Sequence, residues 1–216
     1  MNTLVERLSK LDTCAVSDAQ DKLGIMGTVT GIVPLYPTHR IAGRAVTVKL
    51  KSKGSEESKR HLGSAAVAAA GPGDVIVIDN RGRIDVAAWG GILSAAAKTK
   101  GVSGVVIDGA SRDVDEARDL GFPVFARAAV PLTARGRIIE ELTNQPIEIG
   151  RVPVHPGDYI IADASGIVVI SAERADEVIS IAEDIVAREA AMVKDVMAGK
   201  SVAEVMGISY EKMLSK

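Results

Sequence analysis

The chain has 216 residues, of which 47% are hydrophobic and 25% charged, and a formal net charge of -2. These values fit one well-packed domain and provide no basic field to hold a nucleic-acid backbone; at 3%, aromatics also offer few platforms for stacking single-stranded bases. The lone cysteine, Cys14, cannot close an intrachain disulfide, and no apolar run is long enough to cross a bilayer. The first residues interleave Leu4, Val5 and Leu8 with Glu6 and Arg7, unlike a secretory segment, so a cytoplasmic protein is expected, bound to neither nucleic acid nor membrane.

In chain order, the opening predicts two short helices. One carries Leu4, Leu8 and Leu11; the other is capped by Thr13, carries Val16, Ala19 and Leu23, and stops at Gly24. Ala45 to Leu50 reads as a strand, with Lys49 on the face opposite Val46, Val48 and Leu50. Ser64 to Ala70 reads as a small-residue helix, followed by the turn Gly71-Pro72-Gly73-Asp74 and a buried strand from Val75 to Ile78. Gly90-Gly91-Ile92-Leu93 opens an alanine-rich helix to Lys100, and a strand over Val105 to Ile107 leads into a predicted turn, Asp108-Gly109-Ala110-Ser111. A helix from Asp115 to Leu120 and a strand from Val124 to Ala126 complete an alternating α/β layer.

Downstream the pattern changes to strands and turns, with Ile147, Ile149 and Val152 ahead of Tyr159 to Ile161 and Ile167 to Ile170. This predicts a second, mostly β layer. Pro72-Gly73-Asp74, Ile76, Asp79 and Gly82 recur as Pro156-Gly157-Asp158, Ile160, Asp163 and Gly166. Asp79 and Asp163 are therefore assigned to turn closure through backbone hydrogen bonds rather than to ligation. Ser171 is expected to cap a long helix with its apolar seam at Val178, Ala182, Ile185, Met192 and Val196. Gly199 ends that helix; a capping box, Ser201 with Glu204, and an apolar tail near Met213 and Leu214 follow.

The chemistry-bearing residues cluster in the middle third. A helix that starts at a glycine pair presents unpaired N–H groups and a positive dipole end, so Gly90 to Leu93 is suited to an anion; the same pair is equally explained as a turn that lets the helix pack closely. Arg112 and Asp113 lie in the loop beyond a buried strand, where α/β sheets usually assemble their sites. Arg112 offers a planar fork for a carboxylate or enolate, and Asp113 a hard oxygen for magnesium or manganese. A helix-start aspartate beside a surface ion pair would give the same two letters. Glu189 interrupts the apolar seam, either at a solvated edge or against a partner. Lys49 is either a solvated strand residue or a Schiff-base lysine. His39, His61 and His155 are scattered and no Cys or His pair has zinc spacing, so any metal must take oxygen ligands. His39, Arg40 and His61 are left without an assigned role. There is no G-x-G-x-x-G, and Gly199-Lys200-Ser201 lacks the upstream glycine of a P-loop, where Lys194 stands instead.

Three stretches carry a family resemblance: Trp89-Gly90-Gly91-Ile92-Leu93, then the run from Gly101 through Asp108-Gly109-Ala110-Ser111-Arg112-Asp113, then Gly121-Phe122-Pro123-Val124. From about Leu11 to the last helix the chain resembles the 4-hydroxy-4-methyl-2-oxoglutarate aldolases and regulator-of-ribonuclease-activity-A proteins. The resemblance implies an α/β protein with a three-layer β/β/α swivelling-domain fold and a long C-terminal helix. Residues 1–216 would form one domain, with 172–216 packing on a neighbouring subunit of a homotrimer or homohexamer. It further implies a lyase that uses Mg2+ or Mn2+ to cleave 4-hydroxy-2-oxo acids, releasing pyruvate, or to decarboxylate oxaloacetate. Gly90, Gly91, Ile92 and Leu93 would offer amides to the substrate, Arg112 would bind it, Asp113 would anchor the metal, and Glu189 from an adjacent subunit would order metal-bound water. One departure bears on proton handling: Gly91 stands where known aldolases often carry an acidic residue. The alternative is a non-catalytic protein that binds and regulates a ribonuclease.

Overall fold

Strands with two apolar faces force this chain into layers. It opens with α1 (Thr3–Leu8) and α2 (Thr13–Leu23), then two short strands, β1 (Thr28–Val29) and β2 (Val33–Pro34), and the long β3 (Ile41–Ser52). Next come α3 (Ser64–Ala69), β4 (Val75–Trp89), α4 (Gly91–Thr99), β5 (Gly104–Ser111), α5 (Val114–Asp119) and β6 (Val124–Ala129), in which β3, β4, β5 and β6 lie parallel and adjacent. Then follow β7 (Ile138–Thr143), β8 (Ile147–Ile149), β9 (Val152–Val154), β10 (Tyr159–Asp163) and β11 (Gly166–Ile170). A 3-10 turn (Ala172–Arg174), α6 (Ala175–Met197) and α7 (Val202–Val205) end the sequence of elements. The computed structural model describes residues 3–55, 57 and 60–207, so Met213 and Leu214 lie outside the described residues.

Side-chain alternation sorts the layers. Val46, Val48, Leu50, Ile76, Ile78, Val105 and Ile107 face α3, α4 and α5, with Trp89, Leu93 and Phe122 in the same cluster. Their neighbours Ala45, Val75, Val77, Val106 and Phe125 point the other way, onto Ile160, Ala162, Ile167 and Val169 and the β8–β9 hairpin. The far face of β10 and β11, with Tyr159, Ile161, Val168 and Ile170, is covered by α1, α2 and the first half of α6. The expected β/β/α arrangement is therefore present, and the terminal helices add a fourth layer. β3 joins the two sheets, because its first residues pair with β10 and its last with β7 along the same edge. No described helix is long and apolar enough to cross a membrane.

Several local expectations change. The cap of α2 is Asp12, whose Oδ1 accepts from Ala15 N at 2.8 Å, while Thr13 gives its N–H and hydroxyl to Asp163 at 2.9 and 2.7 Å. β4 runs to Trp89 rather than stopping at Ile78, and Asp108 to Ser111 is strand rather than turn. Bulges in β4 place Asp79, Arg83, Ala87 and Trp89 opposite Asp108, Gly109, Ala110 and Ser111. A side chain at Gly109 would come within 2.9 Å of Asn80 Cβ, so this glycine serves close approach of two strands. β7 (Ile138–Thr143) is an additional strand, held antiparallel to the end of β3. Neither Ser171 nor Ser201 makes a side-chain cap bond.

The internal echo is a repeated hydrogen-bond pattern. Asp74 and Asp158 each accept from the amide three residues upstream, at 2.8 and 2.7 Å, while Asp79 and Asp163 each accept from the amide two residues downstream, at 2.9 and 2.9 Å. Asp163 additionally ties the start of α2 to the second sheet. Burial opposes its charge, but the Thr13 amide and hydroxyl, the Ser165 amide and Arg40 outweigh that and hold the carboxyl below the usual range.

A depressed folded-state pKa means that the Asp163 carboxylate stabilises the fold above its unfolded value, about 4, and that this contribution disappears as pH falls through the folded value. Asp163→Asn should cost about 1–3 kcal/mol near neutrality, read by denaturant unfolding. The gap from the parent should narrow in acid; a gap that stays constant down to pH 2 would contradict this account.

Candidate active site

The cradle forms where β4 and β5 end side by side. Arg112 N donates to Trp89 O at 3.1 Å, and Ser111 Oγ reaches the same carbonyl at 3.3 Å, so the two strand ends are locked together. Beyond Trp89 the chain is extended at Gly90 and then turns into α4. Beyond Ser111, Asp113 adopts the left-handed conformation, φ 55 and ψ 44, which turns its side chain back toward α4. Its Oδ2 accepts from Gly91 N at 2.9 Å and lies 3.4 Å from Arg112 Nε. The carboxylate thus sits at the positive end of α4, where dipole and amide both favour negative charge.

The position of Gly90 is explained by space rather than by backbone freedom. A Cβ there would lie 2.7 Å from Asp113 Oδ2 and 3.3 Å from Arg112 Nε. Behind the cradle, Trp89 Nε1 donates to Ser94 Oγ at 2.9 Å and the indole stacks on Phe122 with centroids 6.4 Å apart. The wall is therefore rigid. The next two amides of α4, at Ile92 and Leu93, have no partner among the described residues and are free to receive a ligand. A cavity of about 100 Å³ is lined by Gly90 to Leu93, Arg112 and Asp113, with His61, Trp89 and Thr133 completing its walls.

The structure brings Gly90, Gly91, Ile92, Leu93, Arg112 and Asp113 together. Glu189 is elsewhere, on α6, in an apolar groove with Met192, Val196, Val205 and Met206. Burial, with the Asp18 and Asp12 carboxylates, pushes its carboxyl above the usual range. Lys49 is beside the buried Asp79 and does not line the cradle; Arg40 Nε is 3.9 Å from Asp163. Of the residues left without a role, His61 does line the cavity, and no spacing signal marked it. Among the described residues no three His, Cys, Asp or Glu side chains cluster as a metal cage. Asp113 accepts only through Oδ2, and its other oxygen has no partner among the described residues. One free carboxylate oxygen fits a magnesium-like ion, which keeps waters and shares its ligands with substrate, and does not fit a structural zinc.

Gly90→Ala should displace the Asp113 carboxylate from Gly91 N and lower stability by about 1–3 kcal/mol, measured by thermal or denaturant unfolding. An unchanged unfolding curve would mean that the close approach at Gly90 carries no constraint.

Comparison with known proteins identifies the family. A family model described as RraA-like, Aldolase/RraA, matches residues 13–169. A Halalkalibacterium halodurans protein with the provisional name 4-hydroxy-4-methyl-2-oxoglutarate aldolase is 34% identical over 206 residues, 94% of each chain. Protein DlpA of Legionella pneumophila is 32% identical over 180 residues, 83% of this chain, which spans 29% of that longer protein. The solved structure of an uncharacterized Pseudomonas syringae protein superposes with TM-score 0.87 at 29% identity, covering 96% of this chain and 98% of the other. Streptomyces coelicolor RraAS2, described as an unusual member of the RNase ES inhibitor RraA protein family, gives TM-score 0.78 at 26% identity over 85% and 92% of the two chains. The chain belongs to the RraA-like, Aldolase/RraA family.

Proposed function

We propose that this chain is a metal-dependent lyase acting on small 2-oxo acids. Its substrates would be 4-hydroxy-2-oxo acids cleaved by retro-aldol reaction with release of pyruvate, oxaloacetate that is decarboxylated, or both. The observation that carries this reading is the convergence of the Ile92 and Leu93 amides, the Arg112 guanidinium and the Asp113 carboxylate on one small cavity. Both reactions leave the electron pair of a broken C–C bond on C3 of pyruvate, and hence a developing enolate oxygen at C2. Preoriented amides and a guanidinium lower the energy of that oxyanion without reorganisation. Arg112 also fits the substrate carboxylate, because its fork matches two oxygens at once. Asp113 would hold the Mg2+ or Mn2+ ion. Bound there, the ion supplies Lewis acidity toward the carboxylate and keto oxygens.

The provisional aldolase name of the Halalkalibacterium relative supports a lyase. The Streptomyces relative's description favours a second reading, in which the chain binds and regulates a ribonuclease without turnover. Oxaloacetate and 4-hydroxy-2-oxo acids assayed with magnesium or manganese separate the two. Turnover should be abolished by chelation and restored by the metal, and Arg112→Ala should lower kcat by roughly 10²–10³-fold, the loss typical of removing one oxyanion donor. Turnover that survives exhaustive chelation rejects metal dependence; no turnover, together with capture of a ribonuclease, establishes the regulator.

We further propose that Glu189 acts in the cradle of an adjacent copy, in a homotrimer or homohexamer. Three exposures support this: Ile92 beside the cradle is 88% exposed, and Val193 and Met197 at the far end of α6 are 61% and 83% exposed. The first half of α6 is committed to the chain's own core, so the half beyond Ile185 is what a neighbour can cover. Arg112→Ala and Glu189→Gln proteins, each impaired, should regain turnover when dissociated and reassembled together. Failure of the mixture, with mixed oligomers shown to form, would remove Glu189 from the site.

A further inference from the structure

Retro-aldol chemistry needs a proton to leave and later return, and within one chain the cradle described so far assigns no group to that task. Among the described residues lining the cavity, three carry ionisable side chains: His61, Arg112 and Asp113. A guanidinium does not give up its proton in a protein, and Asp113 is engaged by Gly91 N and Arg112. The remaining group is the imidazole of His61.

Hydrogen bonds fix the loop that carries the exposed His61. Nδ1 is 2.9 Å from Leu62 O, and because a carbonyl only accepts, Nδ1 is the donor there; in the neutral ring the lone pair is then on Nε2. His61 O accepts from Ser64 Oγ at 2.6 Å and from Ser64 N at 3.2 Å. On either side, Gly63 N donates to Glu140 Oε2 at 2.8 Å and Arg60 Nε is 3.0 Å from Glu140 Oε1; the Glu140 side chain is only 2% exposed. A Cβ at Gly63 would lie 3.2 Å from Leu93 Cδ1 and 3.3 Å from the Trp89 ring, so this loop packs directly on the cradle. A buried carboxylate on β7 thus clamps both flanks of His61 against α4.

We propose that His61 is the proton-transfer residue of this site, an inference that rests on the lyase reading above. Nε2 takes the proton of the substrate 4-hydroxyl as the C3–C4 bond breaks. C4 leaves as a carbonyl carbon, and the bonding pair passes to C3 and, by conjugation, to the C2 oxygen facing the Ile92 and Leu93 amides. The imidazolium then returns the proton to C3, which gives pyruvate and restores the ring. No acidic side chain at position 91 is needed, because the base comes from the opposite wall.

The test compares His61→Gln with the parent protein in magnesium buffer. Three readouts are used: retro-aldol turnover, exchange of pyruvate methyl protons in D2O by proton NMR, and binding of oxalate, an enolate mimic, by calorimetry. Retro-aldol turnover and methyl exchange should fall by roughly 10²–10⁴-fold. Oxalate affinity, which involves no proton transfer to or from carbon, should be unchanged. Methyl exchange that persists at the parent rate overturns the role of His61 and leaves the lyase reading standing. Equal loss of oxalate binding also overturns it, because His61 would then be a binding group. A parent protein that neither turns over 2-oxo acids nor binds oxalate overturns the lyase reading and the role of His61 with it.

Discussion

The contact on which the site depends is the hydrogen bond from Gly91 N to Asp113 Oδ2. It holds a helix start against a strand-end loop, and three features exist to permit it. Asp113 takes a left-handed backbone conformation, at a cost on the order of 1 kcal/mol or more for a residue with a Cβ. Position 90 lacks a side chain, since a Cβ would occupy the carboxylate's place. The ends of β4 and β5 are in register at Trp89 and Ser111. A charge-assisted hydrogen bond at a helix N-terminus contributes about 1.5–3 kcal/mol, enough to offset that conformational cost. The same arrangement occupies the first amide of α4 and leaves those of Ile92 and Leu93 open, which gives the cradle its direction.

The register of the two strands comes from irregularity rather than from ideal pairing. Between Asp79 and Trp89, β4 spends far more residues than β5 does between Asp108 and Ser111, and the excess is absorbed by irregularities between Asp79 and Arg83, Arg83 and Ala87, and Ala87 and Trp89. Bulges re-aim strands, and here they bring the β4 end back to meet the β5 end. Asp108 reinforces the frame: it pairs with Arg127 on β6 and accepts from Gly150 N at 2.7 Å, tying the separate β8–β9 hairpin to the parallel strands. The site is therefore positioned by buried polar contacts as much as by the aliphatic core.

The features legible in the sequence were those with local causes. Gly90-Gly91 opening a helix, the repeated Pro-Gly-Asp turns and the alternating apolar strands each follow from neighbours along the chain. The resemblance grouped Gly90 to Leu93 with Arg112 and Asp113, and these residues line one cavity. Features set by distant partners were not legible. Asp108-Gly109-Ala110-Ser111 has turn composition yet forms a strand, because β4 supplies the partners and Asn80 takes the space a side chain at 109 would need. Thr13 looks like a helix cap but is recruited by Asp163 from the second sheet, so Asp12 caps instead. His61 follows a polar loop that carries no periodicity. Only the clamp by Glu140, on a strand the sequence did not announce, brings it to the cavity.

Glu189 and its neighbour Asp18 stand apart from the way this fold treats its more deeply buried carboxylates. Asp79, Asp108, Asp158, Asp163 and Glu140 each accept hydrogen bonds from amides or pair with arginine, as the cost of desolvating a charge requires. Glu189 has no hydrogen-bond or ion-pair partner among the described residues, although burial and two neighbouring carboxylates disfavour its charge. It also shares its groove with apolar side chains whose continuation along α6 is exposed. A partly buried carboxylate so placed is compensated either by water or by a group from outside the described chain. The cradle, with its cationic fork, open amides and exposed Ile92, has the complementary deficit. Pairing the two across copies of the chain would satisfy both, and this complementarity is the physical argument for a site shared between subunits.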